Sequence, residues 1–96
     1  MLDEKKIQEI AREIATANLA SANISSISSS TGVDSEGHDA LRIMIVITPG
    51  AEAKITGDAA LDTLVEIKER LRREGEERLP IVEYATKEEL EAGGDS

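Results

Sequence analysis

The chain has 96 residues, with 20 acidic against 11 basic side chains for a formal charge of −9, no cysteine and a single aromatic residue, a tyrosine. A chain of this length supports one hydrophobic core, here of Ile, Leu, Val, Ala and Met; disulfides, thiolate metal sites and cysteine nucleophiles are excluded. The negative charge opposes phosphate backbones and anionic lipid surfaces, and with a single aromatic ring the chain has few platforms on which bases or flat cofactors stack.

The N-terminus is charged from Asp3 to Lys6 with no apolar run behind it, so no signal peptide is expected; no stretch approaches bilayer-spanning length, and the cytoplasm is the default compartment. Asp3 is placed to cap a helix, with Leu2 able to pack on Ile7 as a hydrophobic staple. Ile7, Ile10, Ala11, Ile14 and Ala17 then recur at helical spacing, and the helix end blurs over residues 18–23 because no glycine stops it.

The Ser-rich run Ile24 to Val33 reads as the first arm of a hairpin, with Ile27, Ser29, Thr31 and Val33 on one face. Ile24 and Ile27 are three apart, so a bulge intervenes or one of them leaves the core face. Such an arm belongs at a sheet edge. Residues 34–39 form the connection, with Gly37 available for positive φ.

Leu41 to Thr48 is the only long β-branched and aliphatic run: Leu41, Ile43, Ile45 and Ile47 share one face, and Arg42, Met44, Val46 and Thr48 the other. Apolar residues on both faces mark a central strand. Pro49-Gly50 stops it, and residues 51–55 read as a short exposed loop. Thr56 caps a second helix whose buried stripe is Ala60, Leu61, Leu64, Ile67 and Leu71, with Glu66–Arg70 and Glu69–Arg73 pairs outside and Gly75 at its end. Leu79 to Tyr84 is a third strand, and Thr86 with Glu89 has the spacing of a capping box, so a helical turn follows.

The expected fold class is therefore α+β: an α-β-β-α-β two-layer sandwich, with a three-stranded mixed sheet, two helices and a short C-terminal helical turn. A right-handed crossover through the second helix makes the third strand parallel to the central one. Residues 1–92 form a single domain and residues 93–96 a disordered tail.

No catalytic, cofactor or metal site is expected. His38 with Asp34, Glu36 and Asp39 is the one mixture of imidazole and carboxylates, but its spacing fits neither a calcium loop nor a zinc motif, and a solvated turn uses the same residue types. The serines lack a nearby base and a GxSxG elbow, and no phosphate-binding glycine motif is present. No pair of carboxylates reads as buried; Glu83 alone could point inward, or could guard a sheet edge. Lys68, Arg70, Arg72, Arg73 and Arg78 form one basic region, diluted by Glu69, Glu74, Glu76 and Glu77.

The helix-strand-strand-helix-strand order over residues 3–84 resembles type II KH folds, including small ribosome-assembly factors, and implies an RNA-associated domain as an alternative function. The GxxG loop of that class is absent here, and the net charge opposes RNA. The leading expectation is a non-enzymatic interaction domain. With both helices on the Leu41-Ile43-Ile45-Ile47 face, Met44 and Val46 are left bare, joined by Ile81 or by Val82 and Tyr84, and a homodimer covers them. The acidic surface also suits a basic protein partner; nucleic acid and membrane are not expected partners.

Overall fold

The protein is described by a computed structural model for residues 2–94, with side chains as far as Glu91. Helix α1 (Glu4–Leu19) begins where the Asp3 carboxylate accepts the Lys6 N–H at 2.8 Å, and Leu2 packs on the same apolar cluster as Ile7. Its buried residues are Ile7, Ile10, Ala11, Ala15 and Leu19. Ala17, expected among them, is exposed, because two residues past Ala15 the helix has turned about 200°. In place of a glycine, Ala20 ends α1 at φ 72°, and the Asn23 amide donates to the Leu19 carbonyl at 2.7 Å.

Strand β1 (Ile24–Val33) pairs antiparallel with β2 (Asp39–Ile47), and β2 pairs parallel with β3 (Leu79–Thr86), giving the order β1-β2-β3. The register shifts between Ile24 and Ser26; this bulge turns both Ile24 and Ile27 into the core despite their odd separation. Gly37 takes a φ of 86° in the hairpin turn. After β2, residues 51–53 form a 3-10 turn rather than an open loop, and Ala51 is 2% exposed, anchored on the core cluster.

Helix α2 (Gly57–Arg73) is capped by Thr56, whose Oγ1 accepts the Ala59 N–H at 3.1 Å. Its fully buried residues are Thr63, Ile67 and Leu71, while Leu61 is 58% exposed. Thr63 can sit in the core because its Oγ1 donates to the Ala59 carbonyl at 2.8 Å, so no polar group is left unmade. Beyond α2, the Gly75 N–H reaches the Arg72 carbonyl and the Glu76 N–H the Leu71 carbonyl, the paired bonds of a Schellman motif. Helix α3 (Lys87–Gly94) opens with the expected capping box: Thr86 Oγ1 accepts the Glu89 N–H at 3.1 Å, and Glu89 Oε1 accepts the Thr86 N–H at 3.4 Å. It runs two residues into the expected tail, whose last two residues, 95–96, lie outside the described residues.

The core lies between one face of the sheet and the two long helices. Leu41, Ile43, Ile45 and Ile47 meet Ile7, Ile10 and Ala15 of α1 and Ile67 and Leu71 of α2 in one cluster. Each large aliphatic side chain so buried contributes about 1.5–3 kcal/mol. Among the described residues no helix is long and apolar enough to cross a membrane.

Candidate functional site

Strand parity divides the sheet into two unlike faces. Ile43 lies beside Val82 and Ile45 beside Tyr84, so Val82 and Tyr84 belong to the helix-covered face. Val82 is 8% exposed in the core cluster, and the Tyr84 hydroxyl donates to the Ala60 carbonyl of α2 at 2.8 Å; burial of the ring raises the phenol pKa, which a hydrogen bond with Thr63 partly offsets. Of the five residues offered for an exposed surface, these two point the other way, into the layer beneath the helices.

The opposite face carries Ser26, Ser28, Ser30 and Gly32 from β1, Ala40, Arg42, Met44 and Val46 from β2, and Leu79, Ile81, Glu83 and Ala85 from β3. Val46 is only 5% exposed within its own chain, beside Ala85 at the end of the sheet where α3 leaves β3. Met44 and Ile81 are half-buried, and Leu79 is 48% exposed. Arg42 Nε and Glu83 Oε1 lie 2.9 Å apart between adjacent strands. Glu83 therefore points outward rather than into the core, and its ion pair, open to water, is worth little to stability. The charged residues of this face are that pair alone, so in a strongly acidic protein it is close to neutral.

The His38 cluster is a turn held by its own backbone. Asp34 Oδ1 accepts the N–H groups of Glu36 and His38 at 2.8 and 2.9 Å, and Asp34 N–H bonds to the His38 carbonyl. These bonds, the His38 N–H foremost, hold the Asp34 carboxyl below its ordinary value. The imidazole Nδ1 stands 3.4 Å from Asp34 and 3.6 Å from Glu36, on an exposed side chain. Among the described residues no group of three or more His, Cys, Asp or Glu side chains is arranged to hold a metal ion.

Within the basic region, Arg70 and Arg78 are engaged by carboxylates, while Arg72 and Arg73 are exposed. Arg70 donates to Glu74 at 3.0 Å, which raises its pKa, and also approaches Glu13 on α1; Glu66, its expected partner, accepts instead from the Asn18 amide.

Arg78 and Glu76 form a buried pair that the sequence reading missed. Arg78 grips Glu76 through two nitrogens, Nε to Oε2 at 2.8 Å and Nη2 to Oε1 at 2.9 Å, and their side chains are 10% and 0% exposed. The Glu76 carboxylate also accepts the N–H groups of Leu2 and Arg78, each at 3.0 Å, while Arg78 Nη2 donates to the Leu2 carbonyl. The Arg78 hydrogen bonds, above all, lower the Glu76 pKa to about 2. A signal was present: Glu76 directly follows the helix-terminating Gly75, a position that a Schellman motif folds back toward the last turn. This cluster joins the chain's first residues to the α2–β3 connection.

Fold and surface together define a small two-layer α+β domain with one helix-free, partly exposed and nearly neutral sheet face. No family model, curated protein or solved structure matches the chain.

Proposed function

We propose that this chain is a small acidic, non-enzymatic interaction domain that forms a two-fold homodimer through its helix-free sheet face. One observation carries the reading: that face combines partly exposed Met44, Ile81 and Leu79 with a single balanced Arg42–Glu83 pair, on a molecule of charge −9. Two like-charged copies meet at least cost where each presents no net charge. In a two-fold arrangement Arg42 of each copy can also approach Glu83 of the other, while the β1 serines allow close approach. Because Val46 is already enclosed, the centre of the interface falls on Met44 and Ile81.

Sedimentation equilibrium tests the reading. A dimer at high micromolar concentration that Ile81→Glu converts to a folded monomer supports it; a wild-type monomer at that concentration overturns it. The KH-like topology leaves an RNA-associated role as the second reading, supported by the strand order and parallel β2–β3 pairing. Binding to structured RNA that survives physiological salt would place that role first.

A further inference from the structure

We infer that the outer edge of β1 is a docking site for an extended, basic peptide segment of another protein, which adds a fourth strand to the sheet. The site is distinct from the face proposed for dimerisation. β1 is an edge strand ten residues long with neither proline nor charge, whereas the other edge strand carries Pro80 and Glu83. Beyond the bulge at Ile24–Ser26, nothing on β1 itself therefore blocks strand addition along residues 27–33.

The ladder fixes which groups are free. Asp34 N–H bonds to the His38 carbonyl in register with the β1–β2 pairing, and hydrogen-bonded pairs alternate along antiparallel strands. Gly32, Ser30 and Ser28 consequently bond to β2, while Val33, Thr31 and Ser29 direct their N–H and C=O groups outward. Thr31 and Val33 are exposed, and among the described residues none of these three backbones has a further backbone partner.

Beside this free edge lies a groove of about 380 Å³, with Leu2, Ile7 and Leu41 among its apolar lining and Ser29 and Thr31 on its strand side. Ser29 Oγ is a buried side-chain oxygen with no hydrogen-bond partner among the described residues. A free edge alongside a helix-walled groove of mixed polar and apolar lining suits peptide recognition by strand addition: the backbone supplies hydrogen bonds and alternate side chains enter the groove. An apolar residue of the peptide packs on Leu2, above the buried Ile7 and Leu41 at the groove floor, and a neighbouring polar group meets Ser29 Oγ.

Charge selects the partner. Glu4 and Arg78 line the groove, the Arg78 charge being balanced by Glu76, and Asp34 and Glu36 follow in the turn beyond Val33. Lysine or arginine flanking the apolar anchor therefore complements the unbalanced carboxylates at both ends of the edge. A second copy of this chain brings only its own uncharged β1 and a repelling net charge.

A random octapeptide library displayed on phage, panned against the full chain, supplies the probe. Enriched sequences should alternate apolar residues with Lys or Arg, and a synthetic peptide of that sequence should slow amide exchange at Ser29, Thr31 and Val33. Thr31→Pro deletes an outward N–H without removing a ladder bond and should weaken the peptide about tenfold. Ser29→Ala should weaken it several-fold while raising Tm, a pairing of effects that a purely structural serine does not give. The proposal fails if nothing is enriched, if exchange slows on the helix-free face instead, or if a folded Thr31→Pro variant binds unchanged. Should Thr31→Pro not fold, unchanged binding by Ser29→Ala overturns the hydroxyl contact, and the exchange map decides the edge. Concentration-dependent protection of Thr31 without peptide, which the peptide cannot displace, would assign the edge to a second copy and overturn the peptide.

Discussion

Glu76 shows what one residue can hold in a domain of this size. Its carboxylate is closed off from water and accepts from Arg78 and from two backbone N–H groups. Its pKa falls from 4.5 to about 2 on folding, so the charged form favours the folded state. The sign follows: this stabilisation is complete above about pH 4.5 and disappears as pH falls towards about 2, a contribution on the order of 3 kcal/mol at neutral pH. Urea melts between pH 7 and pH 2.5 should show the midpoint dropping through that window, and Glu76→Gln should flatten this part of the profile. At pH 7 the same substitution should cost ~3 kcal/mol, because it leaves the Arg78 guanidinium buried against a neutral partner. Ala20 stores strain in the opposite sense. It holds φ 72° and ψ 138°, a region that suits glycine, so Ala20→Gly should raise stability by about 1 kcal/mol in the same assay. Only the place of Glu76 after Gly75 hinted at its role, and nothing hinted at that of Ala20. Glutamate and arginine two apart in a charge-rich connection look solvated, and an alanine at a helix end carries no mark of its backbone angle.

At the scale of elements, periodicity was legible and rotation was not. The alternation through residues 41–48 is sufficient to place β2 at the centre of the sheet, and the Ile7-Ile10-Ile14 spacing to place α1 on it. The helix stripes were each set slightly askew, since Leu61 and Ala17 look like core residues until packing chooses the face. Thr63 was passed over because its hydroxyl is satisfied only by the helix itself. Strand parity in β3 stayed open for a related reason: whether Ile81 or Val82 and Tyr84 share the helix-free face depends on the β2–β3 register, which no local pattern in β3 specifies. Gly75 was legible, and it tests the α2 terminus. At φ 98°, with open space where a Cβ would project, Gly75→Ala should cost about 1 kcal/mol from backbone strain alone, seen as a lower urea midpoint with unchanged slope.

The whole molecule is governed by its charge. At −9, copies repel one another, so if the helix-free face is the dimer contact then added salt should tighten the dimer, with the sedimentation dissociation constant falling between low and physiological ionic strength. The candidate face was half legible in the sequence: Met44 and Ile81 fall on it, whereas the enclosure of Val46 beside Ala85 depends on how the chain closes at the far end of the sheet. The Glu76–Arg78 clamp has a further consequence at this scale. By gripping Leu2 through both its N–H and its carbonyl, it fastens the chain's opening residues to the lead-in of its last strand, 76 positions away. Trimming the first two residues should thus be felt remotely: the guanidinium keeps its two bonds to Glu76 but loses the Leu2 carbonyl, and trypsin should cut at Arg78 faster than in the intact protein.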